Sequence, residues 1–208
     1  NFHNTLWRYE NEFLPAVEAD KAGRAAAVQA EIQFVKDRKA DTHRLSDLAA
    51  AGQLPLRGTH NDSKLTNVLL DAPVGEAICV SDLDRDMPGL AHCDFGDSIR
   101  FGANTAAEDE ADLSKVSLDL EYFGAYAKGF LSQAGESLTQ TEIDQLAFSA
   151  QLMTFECGMR FLTDYLNGDT YFKTAYPEHN LVRARNQFAL VADMERKMDQ
   201  MEALIAAL

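Results

Sequence analysis

Apolar residues recur at steps of three and four along most of the chain, which is the spacing of an amphipathic helix. From residue 5 to residue 51 this pattern predicts two or three helices, and Gly52 ends the run. The pattern returns in three later segments, over about residues 115–132, 139–167 and 181–205. Thr139 and Glu142, at the spacing of a capping box, open the second of these. We therefore expect a mainly α-helical protein.

Two short apolar runs interrupt the helices, at residues 67–70 and 77–80. Prolines and glycines surround both runs, namely Pro55, Gly58, Pro73 and Gly75. This punctuation predicts a small β-hairpin. A short helix is predicted over residues 94–101, and the acidic stretch 108–112 after it is predicted to be a solvated loop. Residues 1–208 are expected to form a single domain, mainly α with this one hairpin.

The charge balance excludes one large class of partner. Lys and Arg total 19 against 33 Asp and Glu, giving a net charge of −14, which would repel a nucleic-acid backbone. The sequence contains neither a run of ~20 apolar residues nor a secretory leader. We therefore expect a protein without membrane contact, located in the cytoplasm. Cys79, Cys93 and Cys157 are expected to be reduced thiols in the core.

A polar segment beside the predicted hairpin carries the residues with the clearest chemistry. If the two runs pair in antiparallel fashion, Leu69 faces Val80 and Asn67 falls opposite Asp82. Asp62 lies five residues before Asn67 and can reach the same end of the hairpin. Oxygen donors of this kind favour magnesium, which binds one or two carboxylates together with substrate phosphates. Such a group suits phosphoryl transfer from a nucleotide to a hydroxyl whose proton Asp62 accepts.

The spacing within this segment resembles that of known kinases. Residues 60–67 read H-x-D-x-K-x-x-N, as in the protein-kinase catalytic loop, and Asp82 follows where those enzymes carry a metal-binding aspartate. Residues 80–84 look like the branch of aminoglycoside phosphotransferases and choline kinases. The chain is most similar to N-acetylhexosamine 1-kinases, in residues 82–84, 87–89, 94–104, 168–172 and 179–181. The resemblance implies the C-terminal lobe of a protein kinase-like fold.

By this resemblance five residues belong to the reaction centre. Asp62 is the catalytic base, and Lys64 lies near the transferred phosphoryl group. Asn67 and Asp82 hold Mg²⁺ and, through it, the phosphates of ATP, with Asp84 as a further metal ligand. The implied reaction is ATP-dependent phosphorylation of a small-molecule hydroxyl, with the anomeric hydroxyl of an N-acetylhexosamine as the leading acceptor.

Four further residues have supporting roles by the same resemblance. His60 ties the catalytic loop in place, and Asp94 braces that loop through backbone hydrogen bonds. Asp97 and Arg100 are candidates for contact with the sugar, although Arg100 has the alternative of pairing with a carboxylate.

The nucleotide-binding lobe of such kinases has no counterpart in this sequence. A glycine-rich loop, a strand lysine and its partner glutamate are all missing before His60, and residues 1–58 have a helical pattern instead of that of a five-stranded sheet. We therefore expect that the N-terminal, nucleotide-binding lobe is absent from this chain. That missing lobe is the expected partner of the chain. The chain alone should bind ATP weakly and turn over poorly.

The sequence is also compatible with other functions. An aminoglycoside or choline-type acceptor is the nearest rival, because an acidic cleft attracts polycations. A metal phosphohydrolase would bring together His60 and His92 with the aspartates 62, 82 and 84. A third possibility is a non-catalytic helical interaction domain, or pseudokinase, in which the motif is vestigial.

Overall fold

The computed structural model describes residues 2–208 and is mainly helical. The first helices are α1 (Thr5–Arg8), α2 (Leu14–Ala19), α3 (Gln29–Asp37) and α4 (Arg44–Ala50). They confirm the helical pattern predicted before Gly52. The later helices are α5 (Ala91–Gly102), α6 (Leu120–Ala134), α7 (Gln140–Asp144), α8 (Leu146–Asn167) and α9 (His179–Ala206). None of the helices in residues 2–208 combines the length and the apolar character that crossing a membrane requires.

Two helix boundaries differ from those that the apolar pattern predicts. The predicted capping box is present, because the Thr139 side chain accepts from the Glu142 amide and Glu142 accepts from the Thr139 amide. It opens only the short α7, since the chain bends at Gln145 before α8 begins. The segment predicted as one helix over 139–167 is therefore two. Likewise α6 begins at Leu120, where Asp119 caps it, and not near residue 115.

Helix α8 is the centre of the fold because it is buried on almost every side. Its second half and the first turns of α9 pack against α1–α4, while α5 and α6 pack on its first turns and on the rest of α9. Two glycines permit close contact between the helices. A side chain at Gly96 in α5 would collide with the Ser149 carbonyl of α8, and one at Gly158 would collide with the ring of Phe188 in α9.

Four short strands form two antiparallel pairs beside the helices, namely β1 (Arg57–Thr59), β2 (Val68–Leu70), β3 (Ala77–Val80) and β4 (Met87–Gly89). The pair β2–β3 is the predicted hairpin. The pair β1–β4 is not predicted by the sequence. The polar segment of residues 60–67 therefore runs from the end of one pair to the start of the other, which fixes both of its ends.

The hairpin register differs by one residue from the predicted one. Leu69 pairs with Cys79, and the Ser81 nitrogen donates to the Asn67 carbonyl over 2.8 Å. Asn67 thus lies opposite Ser81 and not opposite Asp82. The prediction that Cys79 is a core thiol is also wrong, because this residue and the whole of β3 are exposed.

Candidate active site

His60 joins the polar segment to the strand end that carries Asp82. Its Nε2 lies 2.9 Å from the carbonyl oxygen of Ser81, and its Nδ1 accepts from the Asp62 amide over 3.2 Å. Because a backbone N–H donates to Nδ1, the ring proton must be on Nε2, where it donates to Ser81. The histidine therefore has the tying contact expected of it, and it holds Asp62 and the residue before Asp82 in one network.

Asp94, in the first turn of α5, holds the same segment from the opposite side. Its carboxylate accepts from the amide of His60 over 2.9 Å and from the amide of Asn61 over 2.7 Å. Its own carbonyl accepts from the Ser63 hydroxyl over 2.7 Å. Burial raises the pKa of Asp94, and the two amide donors oppose that rise because they favour the ionised form. These are the backbone contacts that the sequence analysis expects of Asp94.

Asp62, Lys64 and Asn67 lie together at the centre of this segment. Lys64 Nζ is 3.5 Å from Asp62 Oδ2, and the Asp62 side chain is only 16% exposed. The Asn67 side-chain amide donates to the Asp62 carbonyl over 2.8 Å. Among residues 2–208 no donor bonds to the other end of that amide, so the Asn67 Oδ1 is left available as an oxygen ligand.

Asp82 has a left-handed backbone, with φ 63° and ψ 53°. Outside glycine this conformation is costly, although aspartate tolerates it better than most residues. It directly follows Ser81, whose backbone is bonded to Asn67, and the Asp82 and Asp84 side chains are exposed. This conformation makes Asp82 a candidate functional position, and four other non-glycine residues in the described part of the chain also have a positive φ.

The donor set fits magnesium better than a metal held by protein alone. Within residues 2–208 no three His, Cys, Asp or Glu side chains are close enough together to hold a metal ion. Magnesium is commonly bound by one or two carboxylates, with waters and substrate phosphates completing its octahedron. The Asn67 Oδ1 and the carboxylates of Asp82 and Asp84 are oxygen donors of the type that such an ion would use. A two-metal or zinc-type site would need more protein ligands than this.

His92 does not lie where a metal phosphohydrolase would need its second histidine. His92 is completely buried in α5, and its Nε2 is 2.9 Å from the Glu142 carbonyl oxygen of α7. Burial lowers the pKa of His92, so the ring is held neutral inside the helical core. It therefore does not converge with His60 on a metal.

Asp97 and Arg100 are brought to the same side of the protein as Asp62. All three line a cavity of about 560 Å³ that also includes Lys64. Arg100 donates to Asp97 over 2.8 Å and to Glu108 over 2.6 Å. The alternative role foreseen for Arg100, pairing with a carboxylate, is therefore present. Glu108 is consequently held by an ion pair, which corrects the prediction that the acidic stretch is simply solvated.

The cavity also contains residues that the sequence analysis does not select. Arg160 of α8 and Arg183 of α9 line it, and so does Glu156, one turn before Arg160. A signal for these residues exists in the sequence. Glu156, Arg160 and Asp164 are spaced by four within an otherwise uncharged helix, so they form one charged stripe on a helix that is predicted to be buried.

No protein-family model matches this chain. The assignment of a function therefore depends on the geometry of the residues described above.

Proposed function

We propose that the chain is the large lobe of a kinase-like phosphotransferase that moves a phosphoryl group from ATP to a hydroxyl of a small molecule. The acceptor that the motif resemblance favours is an N-acetylhexosamine, phosphorylated at its anomeric oxygen. One observation carries the proposal: His60 Nε2 donates to the Ser81 carbonyl and the Ser81 amide donates to the Asn67 carbonyl, which joins the Asp62 loop to the residue before Asp82. These bonds support the proposal because they connect the segment that carries Asp62 and Asn67 to the chain just before Asp82.

In this proposal Asp62 accepts the proton of the acceptor hydroxyl as its oxygen bonds to the γ-phosphorus and the bond to ADP breaks. Lys64, 3.5 Å from Asp62, supplies positive charge beside the transferred group. Asn67 and Asp82 would hold Mg²⁺, which when bound neutralises negative charge on the phosphates. His60 and Asp94 keep the base in place without touching the substrate.

The proposal requires a nucleotide-binding lobe that residues 2–208 do not contain, since their strands form only two two-stranded sheets. We propose that this lobe packs on the β2–β3 hairpin. That hairpin exposes a group of large apolar side chains, which are Leu69, Leu70, Ile78 and Val80. Exposed apolar surface of this kind is typical of an interface. The 208-residue chain alone should accordingly bind ATP weakly.

An acceptor screen tests the proposal. The protein with its nucleotide-binding lobe is assayed for ADP release with N-acetylglucosamine, N-acetylgalactosamine, kanamycin and choline, and ³¹P NMR identifies the phosphorylated position. We expect turnover on an N-acetylhexosamine with phosphate on the anomeric oxygen. Turnover only with kanamycin or choline would show that the acceptor is an aminoglycoside or choline-type compound and not an N-acetylhexosamine. Absence of acceptor-dependent ADP release from every sugar and amine would favour the non-catalytic alternative.

A further inference from the structure

The cavity beside Asp62 is rich in positive charge although the chain as a whole carries a net charge of −14. Six cationic side chains line it, namely Lys64, Arg85, Arg100, Arg160, Lys173 and Arg183. Only four carboxylates do so, those of Asp62, Asp97, Glu108 and Glu156. The local balance therefore has the opposite sign to that of the whole protein, which indicates selection for a particular ligand charge.

Every carboxylate in the cavity wall already has a cationic partner from the protein. Asp62 faces Lys64, and both Asp97 and Glu108 face Arg100. Glu156 accepts from His3 over 2.7 Å. Each carboxylate of this wall is thus charge-paired, and of their oxygens Asp97 Oδ2 is buried without a hydrogen-bond partner in the described part of the chain.

Most of the cationic side chains in the wall, in contrast, have no carboxylate partner. Among residues 2–208 no carboxylate lies within ion-pair distance of four of them, which are Arg85, Arg160, Lys173 and Arg183. Arg183 donates one bond, to the Lys173 carbonyl over 3.2 Å, while its Nε is buried without a partner. Such a buried, unbonded donor is costly unless a ligand satisfies it.

Arg160 is held by aromatic rings and not by charge. Its guanidinium lies 5.2 Å from the ring of Phe2, 5.8 Å from that of Tyr171 and 5.4 Å from that of Phe172. Within residues 2–208 the one side-chain bond that Arg160 donates is a long one of 3.5 Å from Nη2 to the Tyr171 hydroxyl. Contacts with rings position a guanidinium and leave in-plane N–H groups available. Those groups match the two oxygens of a carboxylate or phosphate, and the same rings suit the face of a sugar.

From these contacts we infer that the acceptor carries an anionic group, a carboxylate or phosphate, in addition to its reactive hydroxyl. This inference rests on the proposed function and narrows its acceptor to an acidic sugar or a sugar phosphate. The anion is bound by Arg160 and Arg183, with Lys173 at the exposed edge of the cavity. A polycationic aminoglycoside would meet unpaired arginines and would be repelled.

The nucleotide is a less suitable source for this anion. Asp62 and Lys64 line the cavity, but Asn67 and Asp82, the proposed ligands of the nucleotide-bound magnesium, do not. The unpaired cations therefore belong to the acceptor side of Asp62. Binding of MgADP compared with binding of a phosphorylated sugar separates these two sources.

Calorimetric titration of the protein with its nucleotide-binding lobe, using three probes, tests the inference. The probes are N-acetylglucosamine, N-acetylglucosamine 6-phosphate and MgADP. We expect the phosphorylated sugar to bind at least about tenfold more tightly than the neutral sugar, as a charge-assisted bidentate contact allows. Arg160→Gln and Arg183→Gln should remove most of that difference and leave MgADP binding unchanged. Lys128→Gln, an exposed cation outside the cavity, is the matched control and should change nothing.

Lys173→Gln keeps the test decisive if either arginine variant fails to fold, because this side chain is exposed and its loss leaves the core intact. It should weaken binding of the phosphorylated sugar and not that of the neutral one. Equal affinity for the two sugars, or an advantage that survives all three substitutions, would overturn the inference. So would an equal loss of MgADP affinity in the arginine variants, since the cations would then serve the nucleotide.

Failure of the proposed function gives a different result, because titration requires no turnover. If the acidic sugar binds but is not phosphorylated, the anion site stands and the kinase proposal falls. If neutral N-acetylglucosamine is phosphorylated as well as any acidic sugar and binds equally tightly, the kinase proposal stands and the anion site falls.

Discussion

The carboxylate of Asp94 lies 2.7 Å from the backbone nitrogen of Asn61, the residue before the proposed base. This bond connects α5 to the polar segment and fixes the backbone of the residue before Asp62. We expect Asp94→Ala to lower turnover by about 10- to 100-fold, as losses of outer supporting contacts do. The free energy of unfolding should fall by about 1–3 kcal/mol, because two amides lose their acceptor.

The separate effects on kcat and KM distinguish a positioning role of Asp94 from direct contact with the substrate. Asp94 does not line the cavity, so kcat should fall while the KM of the acceptor stays nearly constant. Asp94→Asn, which keeps one carbonyl acceptor, should recover part of the loss. Asp199→Asn, an exposed carboxylate on α9, is the control. A large rise in acceptor KM with unchanged kcat would contradict the positioning role.

Gly96 provides a test of the α5–α8 contact that presents Asp94. A methyl group at this position would meet the Ser149 carbonyl and lie 2.6 Å from Met153 Cγ. Gly96→Ala should therefore reduce the free energy of unfolding by about 1–3 kcal/mol, the usual cost of overpacking. Gly102→Ala, in the same helix with open space around it, should be neutral or stabilising by up to about 1 kcal/mol. Urea denaturation of both variants measures the contrast, and equal effects would contradict the close packing.

His3 predicts a pH dependence of stability. Its Nδ1 lies 2.7 Å from Glu156 Oε1 and its Nε2 lies 3.0 Å from the Asn61 carbonyl oxygen. Burial acts to lower its pKa, but the charge of Glu156, which Arg8 also faces at 3.5 Å, together with these bonds raises the pKa above the ordinary 6.5. The folded state therefore holds the proton more tightly than the unfolded state does.

The sign of the effect follows from that difference. The stabilisation by His3 is fully present below pH 6.5 and is lost as the pH rises through its raised folded-state pKa. The difference in unfolding free energy between the wild type and His3→Gln should thus be largest near pH 6 and shrink towards pH 9. His43→Gln removes a partly exposed histidine that pairs with Asp47 and is the control. A difference that is independent of pH would show that His3 is not charged in the folded protein.

The helices could be predicted from the sequence because one periodicity dictates both their secondary structure and their buried face. The hairpin could be predicted, but its register could not. Strand β3 is exposed along its whole length, so there is no alternation of buried and exposed positions to select one register over the next. The pairing of β1 with β4 joins residues such as Thr59 and Met87, and a long-range contact between strands of three residues leaves no local pattern.

Some residues of the candidate site could likewise be predicted from the sequence, and others could not. The spacing of Asp62, Lys64 and Asn67 is local, so the sequence indicates that these residues act together. Arg160 and Arg183 reach the same cavity from α8 and α9, and only the packing of those helices brings them beside Asp62. In our proposal their charge selects an anionic acceptor, which the sequence alone does not indicate because both arginines are far from Asp62 along the chain.

The most direct test of the central claim is the single-turnover rate of phosphoryl transfer by Asp62→Asn, in the protein with its nucleotide-binding lobe. Asparagine preserves the shape of the side chain and removes its basicity, and the Asp62 backbone contacts with His60 and Asn67 do not involve the carboxylate. We expect the rate to fall by about 100-fold or more while the acceptor still binds. An unchanged rate would contradict the assignment of Asp62 as the base and with it the proposed reaction centre.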